Sequence, residues 1–426
     1  MNISIYPNKI EDVLSESSSY SVLMFVLKLI LEIISSSFYC PWSDWFGRKL
    51  PLIIAFIGGN FELSVYFFKN SRFSVFMAII CTSSVLSALS GGDLCISAMC
   101  YSYGTDNSSE KFRTVRFTLM DSAQMIGMVT GVILFQGVKF SDTILHIALI
   151  FFCVKLLSIT WICLAFHEKH FEGKDHKVSK QLASLFSGFR FKSIYMALLK
   201  WRHNCGSDQL RLMIISALPI TIAHRMFEGL VAFNAHDAKL FPSFDNYRVM
   251  MIAFALYSPF FGIVGIVFLH CLTSLRDSTI GLIGFLCIYI SQFVSAFATD
   301  RITIIVALSL APFKCFAAVA VRSIVSKIAA ENERGKVFFF LSLMELLAIV
   351  VGYVLMIKFH FLVDALDPKF SKLILITVLI IPFCSFVFQI ISIHTEHLFS
   401  RCYRSIQIPA EIHRAEMFED LNQENS

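Results

Sequence analysis

The sequence predicts an all-α polytopic membrane protein, from its composition, the length of its apolar segments and the placement of its basic residues. Of 426 residues, 56% are hydrophobic and 16% charged, and mean hydropathy is +0.69. Soluble domains run at roughly 45–50% apolar and about 25% charged, so both departures favour lipid. The 44 phenylalanines are spread along the chain instead of gathering in one core. No stretch shows the period-two alternation of barrel strands.

Eleven segments hold the roughly 20 apolar residues that a helix needs to cross a bilayer: 20–40, 51–68, 74–102, 117–138, 143–166, 210–233, 247–270, 279–298, 302–321, 336–357 and 371–393. With the Arg48–Lys49 loop placed in the cytosol, Lys and Arg favour the cytosolic connections by about two to one, as the positive-inside rule requires. The chain then divides into a polar segment 1–19, a five-span bundle 20–166, a basic linker 167–209, a six-span bundle 210–393 and a cytosolic tail 394–426. Eleven spans put Met1 outside, and the expected explanation is a missing first helix. No secretory signal peptide is expected, because Glu11, Asp12 and Glu16 stand where an apolar core belongs. Within the linker, 178–200 mixes Leu and Phe with Lys and Arg, which suits either a helix on the membrane surface or a solvated connection.

The twelve cysteines are scattered without a CxxC pair, so neither a metal site nor a disulfide framework is expected, and no cofactor is predicted. A GxxxxGK[ST] loop is absent, which argues against direct use of ATP. The basic residues follow membrane topology, so nucleic acid is not an expected partner. Two weak internal matches, Leu119-Met120-Asp121 with Leu343-Met344-Glu345 and Asp44 with Asp277, lie at similar offsets and suggest two homologous halves. Paired halves around a midplane cavity are a common transporter architecture.

Trp42-Ser43-Asp44-Trp45-Phe46-Gly47-Arg48-Lys49-Leu50-Pro51 resembles the loop between the second and third helices of the major facilitator superfamily. Asp44 is expected to cap the helix that follows, Gly47 to permit a tight turn, and Arg48 and Lys49 to anchor at headgroups or pair with acids on a neighbouring helix. Cys40 replaces a motif glycine and Trp45 a basic residue, which weakens the expected helix approach and gate. The stretches Arg322–Lys327 with Glu333–Phe338, and Tyr103–Asp106 with Arg113–Arg116 and Leu119–Asp121, resemble the proton-coupled folate transporter and heme carrier family. That resemblance implies two pseudo-symmetric bundles in a plasma or endolysosomal membrane, with transport of a small organic anion, folate-like or another heterocyclic carboxylate, coupled to protons.

Charges inside spans are costly and each needs a reason. By the resemblance, Asp121 corresponds to a proton-coupling acid and Arg322 to a substrate-binding arginine; a water-facing helix end and a snorkelling side chain are the structural alternatives. Glu345 occupies the repeat-equivalent place of Asp121. His224 and Glu228 share a helix face four residues apart and suit a proton relay beside Arg225, or simple internal pairing. Asp93, after Gly91-Gly92, is a further cavity candidate. Lys28 and Glu32 are expected to neutralise each other at i, i+4, while Glu62, Lys155 and Lys314 stand as single charges. Gly127 and Gly131 are expected to pack helices closely. A transport-inactive sensor or accessory subunit is the alternative function. An embedded enzyme would have to use His394 and His397, so no catalytic or metal residue is predicted.

Overall fold

The computed structural model describes residues 6–68, 72–136, 143–168, 188–202, 206–235, 257–272, 275–296 and 300–365. The helices among them are α1 (Tyr6–Phe46), α2 (Lys49–Ser64), α3 (Phe73–Leu89), α4 (Gly92–Asp106), α5 (Arg113–Gln136), α6 (Thr143–Ala165), α7 (Gly188–Leu199), α8 (Gly206–Ala235), α9 (Tyr257–His270), α10 (Asp277–Ala296), α11 (Arg301–Leu310), α12 (Cys315–Ile328) and α13 (Arg334–Ala365). Nine of the eleven apolar segments are helical wherever described. The segment 247–270 is described only from Tyr257, and 371–393, the tail and the His394–His397 run lie outside the described residues. Among the described residues, 7 helices are long and apolar enough to cross a membrane. Their outer faces are apolar and exposed, as at Leu157, Trp161 and Leu164 on α6, which is how a chain presents itself to lipid.

α1 begins at Tyr6, well inside the expected polar segment, and continues through Asp44 to Phe46. The chain then reverses at Gly47, whose φ of 105° suits a residue without a Cβ. The segment 74–102, expected as one span, is two helices meeting at Gly91 and Gly92, with φ of 101° and 51°. A break inside hydrocarbon frees backbone groups that must be satisfied within the protein. Here α1 supplies the partners. Ser35 Oγ donates to the Ala88 carbonyl at 2.5 Å and Ser36 Oγ to that of Gly91 at 2.8 Å. Glu32 Oε1 accepts the Leu94 amide N–H at 2.6 Å.

This last contact overturns the expected Lys28–Glu32 pair. Lys28 Nζ instead donates to both oxygens of Glu62 on α2, at 2.7 and 2.9 Å, so Glu62 is not a single charge either. A local i, i+4 pairing is worth only about 0.5 kcal/mol, and a bidentate partner across the bundle outcompetes it. The Gly127–Gly131 expectation also fails: a Cβ on Gly127 would meet nothing within 4 Å, and one on Gly131 would make only ordinary contact with Phe151. Linker helix α7 buries Ile194 and Ala197 and exposes Tyr195, Met196 and Leu199.

The two halves meet along α1, α4 and α5 on one side and α12 and α13 on the other. One apolar core runs through that seam, from Cys40, Met99 and Phe117 to Phe316, Val325 and Phe338.

Candidate functional site

The seam is layered, with each layer about one helical turn from the next. At the Arg48 end lies a buried ionic latch. Asp44 does cap a helix, but it caps α13: its carboxylate accepts the amides of Gly335 at 2.7 Å and Lys336 at 3.3 Å. It lies inside α1 rather than just ahead of α2, so its side chain faces across the seam. The α2 amide of Lys49 is taken by Glu168 at 2.6 Å, and Lys49 Nζ donates to the Cys163 carbonyl at 2.6 Å. Arg48 joins Asp44 at 2.6 Å and Asp106 at 3.1 Å, and Arg334 from the opposite half reaches Asp106 at 2.8 Å.

Arg48 is held above the ordinary arginine value: burial pulls it down, and the adjacent carboxylates of Asp44 and Asp106 more than reverse this. Arg113, beside this corner, is pushed below that value by burial and by the Arg334 charge. The close helix approach that Cys40 put in question is supplied from the other side. A Cβ on Gly335 would stand 2.5 Å from the Cys40 carbonyl oxygen and 2.6 Å from an Arg48 nitrogen. Trp45 is 48% exposed and is no substitute for the motif's basic residue.

One turn inward, Tyr101, Phe117 and Phe338 form an aromatic layer from α4, α5 and α13, with centroids 5.8–6.1 Å apart. On it rests the charged site. Arg322 pairs with Asp121 of the opposite half, and its Nε and Nη2 donate to Glu345 Oε1 at 3.2 and 2.8 Å. Tyr101 Oη donates to Asp121 Oδ1 at 2.8 Å, and its ring lies 4.4 Å from the Arg322 guanidinium carbon. All three charged side chains are mostly buried, at 10%, 13% and 18% exposure for Arg322, Asp121 and Glu345. One cation thus answers two carboxylates, and the trio carries a net negative charge. The aromatic layer shuts it off from the Arg48 end.

Three predicted residues, Asp121, Arg322 and Glu345, are therefore brought together, and Asp44, Gly47, Arg48 and Lys49 assemble at the latch and its turn. His224 and Arg225 are half-buried on α8, where Arg225 packs against Gly352 of α13. Glu228 follows on the same helix, but its side chain lies outside the described set. Asp93 belongs to neither layer; it sits exposed on the first turn of α4. Tyr101 was invisible to sequence reasoning, since an aromatic residue in an apolar span looks like core. Its signal is positional: it stands one turn before Asp106, at the same depth as Phe117.

No protein-family model matches the chain. The lysosomal proton-coupled steroid conjugate and bile acid symporter of Mus musculus is 22% identical over 348 residues, covering 79% of this chain and 72% of that protein. Its Homo sapiens counterpart is 23% identical over 393 residues, covering 87% and 80%. The probable peptidoglycan muropeptide transporter of Drosophila melanogaster is 19% identical over 375 residues, covering 84% and 70%. Among solved structures, the transporter FucP in the outward conformation matches with a TM-score of 0.63 at 13% identity, covering 87% of this chain and 90% of that one. The human organic anion transporter MFSD10 (TETRAN) matches at 0.60 and 14% identity, covering 88% and 83%. These proteins are transporters, which sets the embedded-enzyme reading aside. The chain is a multi-pass membrane protein with the major facilitator fold, and in sequence it resembles the proton-coupled folate transporter and heme carrier family.

Proposed function

We propose that the chain is a secondary active transporter of a small organic anion, coupled to protons and working by alternating access between the two halves. The observation that carries this reading is Arg322 bracketed by Asp121 and Glu345 across the seam. A guanidinium offers a two-pronged fit to a carboxylate, and here both prongs are occupied by the protein's own acids. Protonating either acid releases one prong and cancels the trio's negative charge. A substrate carboxylate then binds in its place, so proton and anion travel together. Tyr101 orients Asp121 for that exchange, and the Asp44–Arg48 latch gates the Arg48 end. His224 and Glu228 on α8 are assigned a proton relay, and Asp93 a place on the cavity wall.

The first substrate class to test is folate-like or another heterocyclic carboxylate. Steroid conjugates, bile acids and muropeptides join the panel because the similar proteins are named for them. The experiment is uptake into vesicles with the outside acidified. Arg322→Lys, which keeps the charge but loses the planar fork, should lower uptake about tenfold or more. Asp121→Asn should leave any residual uptake insensitive to the proton gradient. No uptake of any panel anion, with normal membrane expression, would sink the reading and favour a sensor or accessory subunit.

A further inference from the structure

Glu32, released from its expected partner, belongs to a second group of membrane-embedded charges. The group lies within the N-terminal half, away from the seam. Glu32 and Lys28 come from α1, Glu62 from α2, Asp93 from α4 and Lys155 from α6, while α3 contributes no charged residue. Counted from the helix ends at the Arg48 face at 1.5 Å per residue, Glu32, Glu62, Asp93 and Lys155 lie roughly 15–21 Å deep. That is near the middle of a hydrocarbon core about 30 Å thick. Lys28 is one turn further out. Lys28, Glu62 and Asp93 all act electrostatically on Lys155, and Lys28, Glu62 and Asp93 all act on Glu32.

Three carboxyls meet two ammonium groups there, so the group carries one negative charge too many. Glu62 is committed to Lys28 through both oxygens and also accepts Ser87 Oγ at 3.1 Å. Asp93 is exposed. Glu32 is only 5% exposed and among the described residues its carboxyl forms no ion pair and accepts one hydrogen bond, from the Leu94 amide. Among the described residues neither Glu32 nor Asp93 is in an ion pair, and Glu32 is the buried one of the two, so it is the buried carboxyl that can be neutralised without breaking an ion pair.

The surroundings are built to hold it. Gly92, at positive φ, lets the Glu32 carboxyl reach the broken helix; a Cβ there would stand 2.5 Å from the carboxyl carbon. On α2, Gly58 makes room for Ser90 at the break, and Gly59 for the Lys155 ammonium, 2.4 Å from where a Cβ would be. Lys155 has no ion-pair partner among the described residues. Next to Gly59, Asn60 keeps its amide oxygen buried without a hydrogen-bond partner among the described residues.

We propose that Glu32 is a proton-binding site of the N-terminal half, presented by the helix break at Gly91–Gly92 and separate from the Arg322 site. The ligand is a proton, because binding one brings the group of five charges to neutrality. A carboxylate at the start of α4 is favoured by the helix dipole, and a neutral carboxyl by the surrounding hydrocarbon. The site is thereby poised between two protonation states. The inference does not depend on the substrate or on transport.

The test is infrared spectroscopy of the full chain in lipid nanodiscs during a pH titration, following the C=O band of protonated carboxyls. A component of that band should vanish in Glu32→Gln and persist in Asp121→Asn. Its midpoint should move down by about one pH unit in Asp93→Asn, which removes a neighbouring negative charge, and up by about as much in Lys155→Gln. A purely structural Glu32 would show neither displacement. If Glu32→Gln does not fold, the opposite displacements in the two neighbours support the proposal and their absence overturns it. Loss of the component in Glu62→Gln instead of Glu32→Gln overturns it as well. Sodium shifting the midpoint as strongly as protons fill it would make the ligand a metal cation and also overturn it.

Discussion

Asp44 and Asp277 stand at two corners of the seam, yet they grip the opposite half by different means. Asp44 holds main chain: two amides at the start of α13, with Arg48 locked beside it. Asp277 holds side chains. It accepts Thr114 Oγ1 across the seam at 2.8 Å, and Ser323 Oγ and Lys327 Nζ from its own half at 2.7 Å each. His270 adds a bond from Nε2 to the Lys111 carbonyl at 2.6 Å. At the Asp44 latch the cations are buried, with Arg48, paired to Asp44, at 1% and Arg334, paired to Asp106, at 6% side-chain exposure, whereas Lys327 at Asp277 is 36% exposed. The first corner is a rigid joint and the second a lighter fastening, so separation of the halves should begin at Asp277.

The largest effect is expected from Asp44→Ala, which uncaps α13 and leaves Arg48 short of one of its two carboxylates. Breaking a buried pair costs about 3–5 kcal/mol, and thermal unfolding in detergent should register it. Gly335→Ala comes next. The intruding Cβ meets a backbone oxygen that cannot swing aside, and such overpacking costs about 1–3 kcal/mol. In a protein whose sole cysteine is Cys40, maleimide should label it faster once this substitution pries the seam apart. Unchanged labelling would mean that the close approach does not hold the joint.

Asp277→Asn should cost about 1–2 kcal/mol, since it keeps an acceptor for the hydroxyls and loses the half-exposed lysine. Thr114→Val is the smallest, at about 1 kcal/mol for the lost cross-seam hydrogen bond. Combining Asp44→Ala with Thr114→Val sharpens the contrast. If the corners act independently, their effects add within about 0.5 kcal/mol. A larger discrepancy would make them a single cooperative lock.

Much of this layout is legible in the chain itself. The apolar segments mark the helices because a bilayer leaves backbone groups few alternatives. The Asp44–Lys49 run marks the latch, and Asp121, Arg322 and Glu345 stand out as charges that lipid would not tolerate unpaired. What cannot be read along one dimension is which charge answers which. Lys28 lies four residues from Glu32 but pairs with Glu62 on α2, because the Glu32 carboxyl is turned to the Leu94 amide at the helix break. Asp44 caps α13, hundreds of residues downstream, in place of its neighbour α2. Gly91-Gly92 lies inside 74–102, which is expected as one span. That it is a complete break becomes apparent only when Ser35, Ser36 and Glu32 are found holding both ends.

Gly335 has a consequence for comparing this chain with its relatives. The contact between α1 and α13 requires position 335 to lack a Cβ, because what a Cβ there would meet is the backbone oxygen of Cys40, which every residue at position 40 carries. Here the glycine belongs to the second half, while Cys40 occupies the motif position in the first. Relatives that keep this joint should therefore keep glycine at 335 whatever residue stands at position 40. A motif scored on position 40 alone would count this chain as degenerate, although Gly335 supplies the close approach from the other half.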